Sequence, residues 1–235
     1  KEPAPGMPRA APEAGPATIH IFSQAVALDD LQAALDITIP PADLTQLEHR
    51  LRARLSDKVV AALRESRVAE GQYILMPRVA RFAVAGTLVP CTVRNLAKAF
   101  HKLFGDLHDL WPFVNLGLMI SEVPELGWSL ITAEAPRESL GKSFMEQNQY
   151  LRYVAASLGL PSHLVRRRTL VEAVYDLIVG RLVLGKPLQR QTLDWTGTSP
   201  SKTDFVCAFC AQEGIRIRHL PRTTRHPALG VCPNW

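Results

Sequence analysis

Apolar residues recur in this chain with two different periods, and the switching between them constrains the fold more than any other feature. From 43 to 67, Leu44, Leu47, Leu51, Leu55, Val59 and Leu63 follow at three- and four-residue steps with Arg50, Arg52, Arg54, Lys58 and Arg64 among them. That is the pattern of a long amphipathic helix. From 72 to 89 the residues turn apolar and β-compatible but are punctuated by Pro77 and Gly86, which predicts two short strands, at least one near a sheet edge. Thr92 then stands as the N-cap of a helix over 93–104. Residues 113–123 and 127–135 read as two further strands joined through Pro124, Glu125 and Leu126. A helix over 144–158 ends at Gly159 and Pro161, and Thr169 with Glu172 has the spacing of a capping box opening a helix that runs towards Leu184. Helices and strands thus alternate without repeat, which predicts an α+β fold.

The same patterning marks the borders. Pro3, Pro5, Pro8, Pro12 and Pro16 make 1–18 a flexible arm. An α+β body is expected over 19–188, a Thr-, Ser-, Gly- and Pro-rich linker over 189–202, and a small basic Cys/His module over 203–235. No window reaches the roughly 18 consecutive apolar residues of a membrane span, because Asp176 and Arg181 interrupt 173–185; no membrane partner is expected.

Charge is unevenly placed. Of 27 Lys and Arg and 22 Asp and Glu, residues 151–235 hold 12 basic and five acidic, leaving 15 basic and 17 acidic for the first 150. A basic C-terminal third on a near-neutral body points to a polyanionic partner, nucleic acid or an acidic protein surface. Four cysteines, three of them within the last 29 residues, are not a secreted disulfide framework and indicate a reducing, cytoplasmic compartment.

Cys207 and Cys210 form a C-x-x-C pair that can grip one tetrahedral ion from a tight turn. With His226 and Cys232 they make C-x2-C-x15-H-x5-C, a spacing similar to that of small zinc knuckles and fingers, with His219 as an alternative ligand. Four protein ligands would make the zinc structural; buried free thiols or a reversible Cys207–Cys210 disulfide are the other readings. Between the ligands, residues 215–220 alternate so that a strand would put Ile215, Ile217 and His219 on one face and Arg216 and Arg218 on the other. Arg222 and Arg225 follow, giving guanidinium groups suited to phosphate.

Residues 150–168 resemble the helix-turn-helix pattern, with Ala155 as the small crossing residue, Gly159 at the turn and Leu160 and Val165 locking the pair. The resemblance implies a DNA-facing role for His163, Arg166 and Arg167 within a helix-turn-helix-like segment at 144–168. Thr169 opens a new helix, which leaves the second helix only two turns. Gly141-Lys142-Ser143 sits where a phosphate-binding loop would, but Pro136 replaces the leading glycine that motif needs.

The sequence therefore leads to a non-enzymatic regulator or accessory factor, pinned by zinc, that neutralises nucleic-acid phosphates through Arg166, Arg167, Arg168, Arg216, Arg218, Arg222 and Arg225. The alternative is a protein-protein adaptor or assembly component contacting its partner, or a second copy, through the 43–67 helix. A nucleotide-binding enzyme built on the degenerate 141–143 loop is the third reading.

Overall fold

The computed structural model describes residues 24–54, 73–105 and 117–235. The arm at 1–18 and the 55–67 part of the long helix lie outside them. The elements in chain order are β1 (Gln24–Ala25), α1 (Leu28–Leu35), α2 (Pro41–Arg54), β2 (Tyr73–Arg78), β3 (Arg81–Val84), β4 (Thr87–Pro90), α3 (Val93–Ala99), α4 (Gly117–Ser121), β5 (Gly127–Thr132), α5 (Phe144–Ser157), β6 (Arg166–Arg167), α6 (Leu170–Leu182), β7 (Leu193–Trp195), β8 (Asp204–Ala211), β9 (Gly214–Pro221), β10 (Leu229–Gly230) and β11 (Pro233–Asn234). The protein is α+β. No described helix is long and apolar enough to cross a membrane.

Two sheets carry the fold. The first has the order β1-β2-β5, with β1 parallel and β5 antiparallel to β2; the second has the order β10-β7-β8-β9. Pro77 is tolerated inside the central strand of the first sheet because β1 reaches only as far as Leu75. Beyond it the β1-facing side of β2 has no partner whose ladder a missing N–H would break. Where two strands were expected over 72–89 there are three, because Ala85 and Gly86, both at positive φ, close a two-residue hairpin between β3 and β4. Residues 117–121, expected to be strand, are the short helix α4.

α6 packs against β8, β2, α3 and α1. Thr169 and Glu172 form the expected capping box at its start, and residues 170–180 are buried on every side. Burying a side chain such as Val174, Leu177 or Ile178 contributes about 1.5–3 kcal/mol, which seats the helix. Glu172 and Asp176, on the same buried helix, must instead find charge partners.

The 189–202 stretch is not a linker. Gln189, Thr192, Asp194 and Thr196 are buried, and it supplies β7. Beyond it, Val206, Ala208 and Cys210 of β8 and Ile215 and Ile217 of β9 join the same apolar cluster as β2, β5 and α6. The opposite face of β8 faces a second, smaller cluster of Phe144, Trp195, Cys207 and Leu229, with Phe205 and Phe209 beside it. The last residues run back into the body, where β11 pairs with β6, the Trp235 carbonyl accepts from Leu130 N–H at 2.8 Å and the Trp235 ring meets Tyr73 edge-on.

Candidate functional site

The three consecutive arginines do not lie on a recognition helix. α5 ends at Ser157, Gly159 takes a positive φ, and the chain then runs through turns into β6. The expected helix-turn-helix is thereby corrected: the second helix is absent because 166–167 is committed to antiparallel pairing with β11. In an extended chain neighbouring side chains point to opposite sides, so Arg166 and Arg168 turn towards α6 while Arg167 turns towards α5.

On the α6 side the two join a buried ion network. Arg168, fully buried, gives Nε to Asp194 Oδ2 at 2.8 Å and Nη1 to Asp176 Oδ2 at 3.0 Å. Arg78 from β2, also buried, grips both oxygens of Asp176, reaches Ser129 Oγ at 3.1 Å and Asn234 Oδ1 at 2.8 Å, and stands 3.2 Å from Glu172 Oε1. Arg166 holds Glu172 through two parallel bonds of 2.7 and 2.6 Å. Asp194 Oδ1 accepts the Cys232 N–H at 2.8 Å, which ties in the last strand-forming segment. Burial alone would raise the Glu172 carboxyl, but the Arg166 hydrogen bonds, the charges of Arg78 and Arg166 and the Thr169 N–H outweigh it and hold it at about 2. The residues that sequence reasoning missed are Arg78, Glu172, Asp176 and Asp194. Asp176 was the available signal, since a carboxylate inside an apolar helical run has to be met by a cation.

On the other side Arg167 is a buried cation with no carboxylate at ion-pair distance among the described residues. Its donors go to Phe144 O and Trp195 O at 2.8 Å and to Gln147 Oε1 and Asn148 Oδ1 at 3.0 Å. Its guanidinium lies 3.6 Å from the Phe144 ring centroid. Burial works against its charge and pulls its pKa down. Arg167 and Arg168, being buried, are not placed to meet a nucleic-acid backbone as expected, and half-buried Arg166 gives one edge of its guanidinium to Glu172.

The zinc ligand set is not brought together either. Cys207 and Cys210 are not on a tight turn but within β8, three positions apart, so they face opposite sides of the strand, Cys207 in the smaller cluster and Cys210 in the main core. His226 lies in an exposed turn and accepts Ala228 N–H at its own Nδ1, while Cys232 is buried with Gln189 Nε2 3.0 Å from its sulfur. His219 is exposed on β9. Among the described residues no three His, Cys, Asp or Glu are grouped to hold a metal. Burial pushes the thiols up, Cys207 to about 12 and Cys210 to about 11. These residues do not fit the knuckle.

The 141–143 loop is likewise spent. Ser143 caps α5 in a capping box with Glu146, Gly141 N–H goes to Leu229 O, and Lys142 lies 5.9 Å from the Tyr150 ring centroid.

The remaining arginines lie along β9 and the loop after it, and the alternation expected for 215–218 is present: Ile215 and Ile217 are buried, Arg216 half-buried and Arg218 exposed. Gly214 at φ +137° lets the β8–β9 turn seat against the backbone of Leu103–Gly105, where a Cβ would lie 2.5 Å from Leu103 O. Arg216 packs over Gly105 and stands 3.8 Å from Glu213. Arg218, opposite Cys207 in the register, reaches over the half-buried Phe209 with 5.5 Å to the ring centroid. Arg222 gives its N–H to Thr203 O, beside exposed Lys202, and its Nη2 lies 3.4 Å from Met145 Sδ. Arg225 pairs with Glu146 at 2.8 Å. Among the described residues Arg218, Arg222 and Lys202 have no carboxylate partner within ion-pair distance.

Comparison with protein-family models, with curated proteins and with solved structures finds no match for this chain. The surface and the network therefore stand on their own geometry.

Proposed function

We propose that this protein is a binding module whose β8–β9 face, with the loop to Arg225, holds a polyanion, nucleic acid first among them. The observation that carries the reading is that exposed Arg218, Lys202 and Arg222 have no carboxylate within ion-pair distance among the described residues, with Arg218 lying over the Phe209 ring. Unpaired guanidinium groups contact phosphate oxygens bidentately, and an adjacent aromatic offers a base a stacking surface. Affinity comes from counterion release and falls steeply as salt rises. A binding rather than catalytic role is supported by the site chemistry: the deeply buried carboxylates are tied to arginines and the thiols are held protonated. The four buried free cysteines fit a reducing, cytoplasmic setting.

Fluorescence anisotropy with labelled random-sequence single-stranded and duplex oligonucleotides tests the reading. Binding at low salt should weaken about tenfold or more in the Arg218→Glu, Arg222→Glu double variant, a loss of roughly 1.4 kcal/mol or more. No binding by the parent chain at low salt, or equal binding by the double variant, would overturn it. Met145, exposed beside Arg222, favours one other occupant of the same face, an acidic protein surface with an apolar contact. Capture of one protein partner that persists at high salt, without oligonucleotide binding, would decide for it.

A further inference from the structure

A cleft of about 250 Å³ opens between α2, the start of β5 and the corner where β6 meets α6. It is lined among others by Arg50, Gly127, Trp128, Ser129, Arg166 and Glu172. No residue of β8, β9 or the following loop lines it. Its hydrogen-bonding capacity is unbalanced. A carboxylate offers about four acceptor positions, and those of Glu172 meet three donors, Arg166 twice and Thr169 N–H at 2.8 Å, with the Arg78 guanidinium standing 3.2 Å away as an ion-pair contact. The donors are not used up. Arg166 spends both Nη1 hydrogens, on Glu172 and on Arg167 O, and one on Nη2. Its Nε–H and second Nη2–H, the side edge of the guanidinium, have no partner among the described residues. Ser129 Oγ accepts from Arg78, which leaves its own proton to give. Arg50, at the rim, reaches Leu126 O and stands 3.8 Å from Glu125, itself 69% exposed. Glu122, which also feels Arg166, is taken by the Thr198 hydroxyl at 2.9 Å.

We propose that this cleft is a site for a small oxyanion, a phosphate or carboxylate group, held between the side edge of Arg166 and the guanidinium of Arg50 with the Ser129 hydroxyl as a third donor. Two guanidinium groups and a hydroxyl line a cleft whose deep carboxylate, Glu172, is already engaged, while the second lining carboxylate, Glu125, stays open and exposed at the rim beside Arg50; such a donor set suits an oxyanion. The volume is below the roughly 300–1,000 Å³ of pockets for drug-sized ligands, so the anion is small or is the head of a longer molecule. Arg166 thereby has two roles, holding Glu172 with one edge and presenting the other.

Isothermal titration of the full chain with inorganic phosphate, and separately with succinate, against chloride of equal ionic strength tests the site. Saturable binding of one anion per chain is expected, with phosphate alone indicating a phosphoryl ligand and succinate alone a carboxylate. Arg50→Ala, a rim change, should weaken binding about tenfold or more. Gly127→Phe should do the same by filling the cleft without altering charge; a Cβ at 127 meets Arg50 at 3.8 Å, ordinary contact. The Arg218→Glu, Arg222→Glu variant should bind the small anion unchanged, so this site and the polyanion face fail independently. No saturable heat with either anion, or binding that survives Arg50→Ala or Gly127→Phe, would overturn the proposal.

Discussion

Arg166, Arg167 and Arg168 carry the same charge, in the same basic third of the chain, as Arg218, Arg222 and Arg225, yet the two groups have different work. The first is drawn into the protein by Glu172, Asp176, Asp194 and the carbonyls of Phe144 and Trp195. The second stands on β9 and the loop beyond it, in water, with one exposed ion pair to Glu146. A count of charges treats all six alike. The difference is set by what the interior must satisfy: buried acids on α6 and β7 claim Arg168 and one edge of Arg166, while amide and carbonyl oxygens hold Arg167.

Substitutions can break or sharpen this contrast. The largest effect is expected at Arg168. Arg168→Met leaves Asp176 and Asp194 short of a cation in a dry interior and should lower unfolding free energy by about 3–5 kcal/mol in urea titration. If that chain does not fold, Arg168→Lys keeps the charge, loses the fork and should cost less. Next comes Gly214→Ala, where φ +137° and the approach to Leu103 O and Gly105 N at 2.5 and 2.6 Å predict strain of about 1–3 kcal/mol. It should loosen the hairpin that presents the outer arginines while the inner network stays closed, read by amide hydrogen exchange of β9 against α6.

The pH dependence sharpens the contrast further. Glu172 is held at about 2 in the folded chain against an ordinary value of 4.5, so its folded-state pKa is depressed. The stability it contributes is present in full above the ordinary value and is lost as pH falls from about 4.5 towards 2. Denaturation midpoints taken across that window should fall for the parent chain and vary less in Glu172→Gln, while Arg222→Ala should track the parent. The smallest effect is expected at the outer surface: Arg218→Ala and Arg222→Ala should each change stability by no more than about 0.5 kcal/mol. Each should still reduce the salt slope of oligonucleotide binding by about one. An Arg222→Ala loss as large as that of Arg168→Met would erase the distinction between the groups.

Local rules made much of the fold legible. Thr92 caps α3 and Thr169 with Glu172 caps α6 as their spacing predicts, because a cap joins residues two or three positions apart. The Ile-Arg-Ile-Arg alternation of β9 was readable for the same reason, being a property of an extended backbone. The candidate site was far less legible. Cys207 and Cys210 have the spacing of a metal turn, but a turn and a strand differ in what flanks them, and β7 and β9 on either side of β8 chose the strand. The 189–202 stretch has the composition of a linker, yet Asp194 is drawn inward by Arg168, which composition cannot register. The ala-, gly- and leucine-rich spacing around Ala155 and Gly159 suits a helical pair, and pairing with β11 turned its second half into β6.

By itself, the sequence determined the class of the fold, the helix caps, the faces of β9 and the excess of positive charge in the last third. Only the tertiary structure decided which arginines are internal. Arg78 meets Asp176 across 98 residues and Arg168 meets Asp194 across 26. Such pairings depend on which segments the packed core brings within hydrogen-bond reach, where a buried charge must be matched and an exposed one is left for a partner.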